Sequence, residues 1–114
     1  MIFRSKAPLR IGLAGGGTDV SPYSDLYGGA ILNATINLYA HASIELISEE
    51  KIVISSIDQQ KKAECEYSSI LPLNGELNLL KGVYNRIQKD YGGIVKPFKL
   101  TTYMDAPAGS GLGT

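Results

Sequence analysis

Glycine is concentrated in two short clusters, one near each end of the chain, and these clusters restrict the possible fold more than any other feature. Of the 114 residues, 13 are glycine, which exceeds the roughly 7% that is usual. The first cluster reads GLAGGG over residues 12–17, and the second reads GSGLG over residues 109–113. Closely spaced glycines let a backbone turn sharply and direct consecutive N–H groups at an anion. Both clusters are therefore candidate binding loops.

The charge and apolar content of the chain exclude several classes of protein. Eleven Lys and Arg residues balance eleven Asp and Glu residues, and 44% of the residues are hydrophobic. This balance gives no basic field for nucleic acid or for an anionic membrane surface, and it argues against disorder. No apolar run approaches the roughly 18 residues of a membrane span, and the start MIFRSKAPLR has no secretory apolar core. We expect a cytoplasmic protein that binds neither nucleic acid nor membrane.

The hydrophobic pattern predicts an α+β domain. Alternating or extended apolar residues predict strands at 2–6, 9–14, 36–46, 51–57, 62–67 and 98–104, with Pro8 separating the first two. Apolar residues at three- and four-residue steps predict a helix over 77–91, and a shorter one is expected over 21–27; a glycine pair follows each. Residues 58–60 predict a hairpin turn. Strands with interspersed helices and hairpins fit α+β better than a regular βαβ array.

The single histidine and the single cysteine are not expected to be catalytic. His41 falls on the polar face of the strand 36–46, which predicts a side chain facing solvent. Cys65 falls on the apolar face of the strand 62–67 and is expected to be a small buried hydrophobic residue. One cysteine also excludes an internal disulfide framework and a cysteine-based zinc site.

The second glycine cluster follows the last predicted strand. Its backbone N–H groups, with a helix beginning just beyond, would form a cradle for phosphate. The cluster lacks the Gly-Lys-Ser/Thr ending of a Walker A loop, and Thr114 stands where a dinucleotide-binding fingerprint has its third glycine. From spacing alone, a phosphate loop and a flexible Gly/Ser loop both remain open.

The first glycine cluster follows a strand, as a dinucleotide-binding turn does, but with Ala14 in place of the middle glycine. That fingerprint needs an acidic residue about 20 positions further on, and residues 34–39 read ATINLY. The dinucleotide interpretation is therefore weak. A plain strand-to-helix turn explains the glycines but not the accompanying Arg10, Thr18 and Asp19.

Two motifs carry a resemblance to a known family. The pattern P-x-R-x-x-L-x-G-x-x-T-D over residues 8–19 resembles the first signature of the GHMP small-molecule kinases, and P-x-x-x-G-L-G-T over residues 107–114 resembles the front of their second signature, the ATP phosphate loop. The motifs occur in the family's order, and residues 7–40 most resemble its heptose 7-phosphate kinase branch. The resemblance implies an α+β fold like domain 2 of ribosomal protein S5. It also implies that residues 1–114 are part of the family's N-terminal domain, truncated after the phosphate-loop glycines.

The resemblance assigns a sugar-binding group to the first motif. Asp19 matches the acid that holds substrate hydroxyls, and Gly16, Gly17, Thr18 and Tyr23 are expected beside it; Asp19 as a simple helix N-terminal acid is the alternative. For Tyr23, together with its neighbours Ser21 and Asp25, ordinary packing is equally open.

The same resemblance assigns a catalytic role to Arg10 and an ATP-binding role to the second motif. Arg10 matches an arginine near the reaction centre, where a guanidinium stabilises phosphoryl charge or orients the catalytic acid; a strand-surface cation is the alternative. The ATP phosphates are expected on the following residues: Pro107, Gly109, Ser110, Gly111, Leu112, Gly113 and Thr114. The catalytic Asp and the main Mg²⁺ ligands are expected beyond residue 114, so the fragment itself should be inactive.

Gly16 and Gly17 stand where the galactokinase branch has Glu-His, which disfavours galactose and leaves room for a larger sugar. We therefore expect an ATP- and Mg²⁺-dependent kinase that phosphorylates the anomeric hydroxyl of a heptose 7-phosphate. The alternatives are a kinase of the same branch acting on fucose or a similar sugar, and a non-catalytic binding domain with this fold.

Overall fold

The computed structural model describes residues 1–107 and 109–112, and that part of the chain contains five strands and two helices. In chain order the elements are β1 (Ile2–Ala14), α1 (Tyr23–Tyr27), β2 (Leu32–Leu46), β3 (Lys51–Ser56), β4 (Lys61–Glu66), α2 (Asn78–Tyr91) and β5 (Phe98–Met104). Each element overlaps a segment predicted from the hydrophobic pattern, although β2 begins at Leu32, before the predicted start at residue 36, and the α+β class is confirmed.

The prediction that Pro8 interrupts the first strand is wrong, because β1 runs without a break across it. The strands form one sheet in the order β1-β2-β5-β3-β4, so β1 is an edge strand. Proline has no N–H to donate, and an edge strand has one side that needs no ladder partner. The position of β1 in the sheet therefore explains why Pro8 is tolerated inside it.

The sheet is mixed. β3 and β4 form the predicted antiparallel hairpin, with Lys51 opposite Glu66 and Ser56 opposite Lys61. β3 is parallel to β5, and Ile52 lies beside Phe98 in that pairing. The long connection from β4 to β5 contains α2, as parallel neighbours require a crossover between them.

The chain divides into two compact units. The first unit comprises Met1–Ser5 and His41–Tyr103, and the second comprises Lys6–Ala40 and the chain from Met104 onwards. The core of the first unit consists of four buried side chains: Ile52, Ile54, Leu71 and Leu77. Half-buried side chains pack against them, namely Ala63, Cys65, Leu80, Tyr84, Phe98 and Leu100. Cys65 therefore packs against an apolar core, as its place in the strand predicts.

Helix α2 covers this core with only part of its apolar stripe. Leu80 and Tyr84 pack against the core, whereas Tyr91 at the end of the helix is 85% exposed. Asn85, between the apolar positions, fixes the preceding loop: its Oδ1 accepts from the Leu71 N–H at 2.7 Å, and its Nδ2 donates to the Leu71 carbonyl at 2.8 Å. These two bonds hold Leu71 in the core.

His41 is half-buried rather than solvent-facing, which corrects the expectation from the alternating pattern. Its ring centroid lies 6.0 Å from that of Tyr103 on β5. The difference arises because β2 lies between β1 and β5 in the sheet, so residues of both neighbouring strands flank its polar face.

Candidate functional site

The first glycine cluster forms a tight turn at the end of β1, within the second unit. Gly15 and Gly17 have φ angles of 78° and 87°, in the left-handed region that side chains other than glycine rarely adopt. The Thr18 N–H donates to the Gly15 carbonyl at 3.1 Å and closes the turn. A Cβ atom on Gly15 would lie 2.0 Å from the Ala30 carbonyl oxygen, so this position requires glycine for space as well as for conformation.

Gly16 and Gly17 differ from Gly15 in what surrounds them. A Cβ atom built on either residue would have no heavy atom within 4 Å. These two glycines therefore border open space, which agrees with the room that the sequence predicts beside Asp19.

That open space is a cleft of about 220 Å³. It brings together five predicted site residues from both motifs, Arg10, Gly16, Gly17, Asp19 and Gly111. Sequence reasoning missed three further lining residues, Gly12, Ile31 and Asn33. Their spacing could have identified them. Gly12 is two residues after Arg10 on β1, and Asn33, near the start of β2, is two residues after Ile31, which directly precedes that strand. Residues two apart share one face of a strand, and β1 and β2 are neighbours.

The two charged side chains of the cleft are available to a ligand. Over the residues that the structure describes, neither the Arg10 guanidinium nor the Asp19 carboxylate has a hydrogen bond or an ion pair. Both side chains are exposed. The cleft therefore offers one cation, one anion and the Asn33 amide, a combination that suits a polyol carrying a phosphate.

Thr18 and Tyr23 do not line this cleft. The Thr18 hydroxyl is engaged by backbone groups of Gly15 and Ala30. The Tyr23 ring lies 5.2 Å from the Tyr27 ring, one helical turn away on α1, and Tyr23 is 48% exposed. The Ser21 hydroxyl, just before α1, donates to an Asp25 carboxylate oxygen within α1 at 2.5 Å, so both side chains are used inside this segment.

The loop that carries the second glycine cluster begins immediately after β5, and hydrogen bonds anchor it at its start and near its end. The Asp105 N–H donates to the Tyr39 carbonyl at 3.0 Å, and the Tyr39 N–H donates to Asp105 Oδ2 at 2.8 Å. Further along the loop, the Arg10 N–H on β1 donates to the Leu112 carbonyl at 3.0 Å. The loop is thus tied to β2 at its start and to β1 near its end.

Between these anchors the described residues include a tight turn and two glycines in the left-handed region. The Ser110 N–H donates to the Pro107 carbonyl at 3.2 Å and closes a turn. Gly109 and Gly111 have φ angles of 80° and 74°, and a Cβ atom on either would meet nothing within 4 Å. Glycines in this conformation expose their backbone N–H groups without side-chain cover. The predicted phosphate contacts of Gly113 and Thr114 lie outside the described residues.

The described part of the chain has neither a metal-binding cluster nor a membrane-spanning helix. Residues 1–107 and 109–112 contain no group of three or more His, Cys, Asp or Glu side chains arranged to hold a metal ion. In the same residues, no helix has the length and apolar character that crossing a membrane requires.

Comparison with known proteins gives one curated relative and several structural neighbours. No model of a known protein family matches the chain. In sequence, the chain is 46% identical over 110 residues to the D-glycero-alpha-D-manno-heptose 7-phosphate kinase of Campylobacter jejuni, an alignment that covers 96% of this chain and 32% of the relative.

Several solved structures share the fold over essentially the whole chain, among them a heptose phosphate kinase and a galactokinase. A D-glycero-D-manno-heptose 1-phosphate kinase from Bacteriodes thetaiotaomicron superimposes with a TM-score of 0.87 at 60% identity, covering 100% of this chain and 37% of that one. A Lactococcus lactis galactokinase complexed with galactose gives a TM-score of 0.77 at 25% identity, covering 99% of this chain and 29% of that one.

The chain is therefore similar in fold and in sequence to heptose phosphate kinases and to a galactokinase, and the resemblance to the GHMP small-molecule kinases predicted from the two motifs is confirmed. Among these relatives its sequence is more similar to the two heptose phosphate kinases than to the galactokinase. The chain spans about a third of the length of the relatives that it matches.

Proposed function

We propose that the full-length protein carrying this chain uses ATP to phosphorylate the anomeric hydroxyl of D-glycero-D-manno-heptose 7-phosphate. The observation that carries the proposal is the cleft in which Arg10 and Asp19, both without partners among the described residues, border the unobstructed Gly16 and Gly17 and reach Gly111 of the second glycine cluster. The name of the curated relative, a heptose 7-phosphate kinase, supports this choice of substrate.

In the proposed complex, the acceptor sugar occupies the cleft. The Asp19 carboxylate accepts hydrogen bonds from two sugar hydroxyls and fixes the orientation of the ring. Gly16 and Gly17 provide space for a seven-carbon sugar and expose backbone N–H groups to its distant phosphate. A Glu-His pair at these two positions would fill the same space, which is the reason for preferring a heptose phosphate over galactose.

The phosphates of ATP bind along Pro107, Gly109, Ser110 and Gly111 in this proposal, with Leu112, Gly113 and Thr114 continuing the contact. The fit rests on Gly109 and Gly111, whose left-handed conformation leaves their own backbone N–H groups without side-chain cover. Mg²⁺ bound with ATP supplies additional neutralisation of phosphate charge. Its protein ligands and the catalytic Asp are proposed to lie in the remainder of the full-length protein.

In the chemical step, the anomeric oxygen forms a bond to the γ-phosphorus while the bond from that phosphorus to the bridging oxygen of ADP breaks. The hydroxyl proton passes to the catalytic Asp proposed in the remainder of the full-length protein. Negative charge is spread over the transferring phosphoryl group in the transition state. The Arg10 guanidinium is proposed to stabilise this charge. Asp19 contributes by holding the acceptor in line, since phosphoryl transfer depends mainly on positioning and electrostatics.

One observation favours a second acceptor. The relative that is 60% identical is named a heptose 1-phosphate kinase. In a 1-phosphate the anomeric oxygen is already esterified, so phosphoryl transfer would have to reach a different hydroxyl. The two acceptors therefore present different hydroxyls to the γ-phosphate. They are distinguished by which of them is turned over, because transfer to the far-end hydroxyl of the 1-phosphate would give the same 1,7-bisphosphate.

The test is an acceptor assay on the full-length protein with ATP and Mg²⁺. Release of ADP is measured with heptose 7-phosphate, heptose 1-phosphate, fucose and galactose in parallel, and phosphorus NMR identifies the product. Formation of a 1,7-bisphosphate from the 7-phosphate alone is the expected result. Turnover of the 1-phosphate or of fucose without the 7-phosphate would replace the proposed acceptor, and turnover of none, in a protein that still binds ATP, would favour a binding domain.

A further inference from the structure

Thr18 belongs to the motif that predicts sugar contacts, but its hydroxyl is used within the protein. Thr18 Oγ1 donates to the Gly15 carbonyl at 2.7 Å, with the Ala30 carbonyl at 3.1 Å as a second acceptor. The same oxygen accepts from the Ala30 N–H at 3.1 Å. A threonine hydroxyl has one proton to donate, so these backbone groups leave no donor for a sugar.

The two loops that Thr18 joins are in backbone contact with no space between them. A Cβ atom on Gly15 would lie 2.0 Å from the Ala30 carbonyl oxygen, and one on Gly29 would lie 2.2 Å from the Thr18 carbonyl oxygen. Side chains on either glycine would force the turn of residues 15–18 away from residues 29–30. The hydroxyl of Thr18 bonds to both sides of this contact.

We propose that Thr18 is a positioning residue for substrate binding: its hydroxyl clamps the glycine turn onto residues 29–30 and thereby sets the place of Asp19 in the cleft. Asp19 directly follows Thr18, and Gly16 and Gly17 lie inside the clamped turn. Gly15, Thr18, Gly29 and Ala30 together form this Thr18 clamp. The inference rests on the proposed function, because its effect is expected in the binding of the acceptor sugar.

A hydroxyl is required at this position because the clamp needs a donor and an acceptor in one small group. Valine has nearly the same shape as threonine but lacks both, so T18V leaves the Ala30 N–H and the Gly15 carbonyl to water. Serine keeps both functions and loses only the methyl group. The pair T18V and T18S therefore separates the hydrogen bonds from side-chain volume.

The experiment measures steady-state kinetics of the two variants in the full-length protein with heptose 7-phosphate and ATP. T18V is expected to raise KM for the sugar phosphate at least tenfold, whereas kcat and KM for ATP stay within threefold, and T18S is expected to stay within threefold of wild type throughout. Equal effects of T18V and T18S, or an unchanged sugar KM in T18V with lowered melting temperature only, would overturn the inference. T18A, which also lacks the hydroxyl, takes the place of T18V if that variant does not fold.

A second readout does not depend on activity. Hydrogen exchange of the peptide containing Ala30 is expected to be faster in T18V than in T18S, because the Ala30 N–H loses its partner only in T18V. Unchanged exchange in T18V would refute the clamp. An inactive wild-type protein in which exchange changes as expected would instead refute the proposed function and leave the clamp standing.

Discussion

A single methyl group should reduce stability when it is placed on Gly15, but should affect substrate binding when it is placed on the adjacent Gly16. In Gly15→Ala the new Cβ atom would lie 2.0 Å from the Ala30 carbonyl oxygen, whereas protein Cβ atoms essentially never approach another heavy atom more closely than 3.0 Å. The backbone must therefore move by about 1 Å at a contact between two loops. The φ angle of 78° adds a left-handed conformation that costs an L-residue about 1–2 kcal/mol.

Together these terms predict that Gly15→Ala lowers the free energy of unfolding by at least about 2 kcal/mol, within the range known for strained backbone positions. At 2–4 °C per kcal/mol for a protein of moderate size, the melting temperature should fall by about 4–8 °C. Gly16→Ala is the matched control: its Cβ meets nothing within 4 Å, and its φ lies outside the left-handed region. It should raise the melting temperature by about 1–4 °C, since a compatible Gly-to-Ala exchange stabilises a protein by about 0.4–1 kcal/mol.

The assay is thermal unfolding of both variants in the full-length protein, followed by the KM for heptose 7-phosphate. Gly16→Ala should lose no stability but raise this KM, because the methyl group enters the cleft. Equal melting temperatures for the two variants would refute the reasoning about the turn, and an unchanged KM in Gly16→Ala would refute the assignment of the cleft.

Three further predictions concern individual side chains. Asp19→Asn keeps the shape and removes the charge; loss of a charged hydrogen bond, about 1.5–3 kcal/mol, should lower kcat/KM for the sugar roughly ten- to a hundredfold with an unchanged melting temperature. Asn33→Ala should raise the sugar KM roughly three- to tenfold and leave the KM for ATP unaltered, as expected for one neutral hydrogen bond. The hydrogen-bonded Lys62 ammonium, aided by Lys51, lowers the pKa of Glu64 from its ordinary 4.5. The contribution of Glu64 to stability is therefore complete above that ordinary pKa and is lost as the pH falls through the lowered value; NMR titration should give a pKa below 4.5 for Glu64, and Glu64→Gln should remove this part of the acid dependence.

Most of the fold follows from local chemistry and could be predicted. A short apolar run marks β3, alternating apolar residues mark β4, and the glycine pair at 92–93 marks the end of α2. The failures concern Pro8 and His41, and both have a tertiary cause. Whether proline is accepted in a strand depends on whether the strand is at an edge, and whether a polar face is exposed depends on which strands flank it. Neither fact is encoded within the segment itself.

The candidate site shows the same division. Asp19 and Arg10 could be assigned from the motif, and the cleft contains them both. Asn33 could be found only by combining its two-residue spacing from Ile31 with the pairing of β1 and β2. The hydrogen bonds of Thr18 could not be predicted at all, because their partner Ala30 lies twelve positions away in the sequence. The two segments can approach this closely only because residues 15 and 29 are glycines.

Arg10 contacts both glycine clusters, the first through its place in the cleft and the second through its backbone N–H. Its guanidinium belongs to the cleft, while its backbone N–H holds the Leu112 carbonyl at 3.0 Å. The loop proposed to bind ATP and the cleft proposed to bind the sugar thus both contact Arg10 of β1. Because the second contact is made by the main chain, any side chain other than proline at position 10 preserves it. In the proposed complex, the separation between donor and acceptor is set by the strand, and the guanidinium is left to act on the transferring charge.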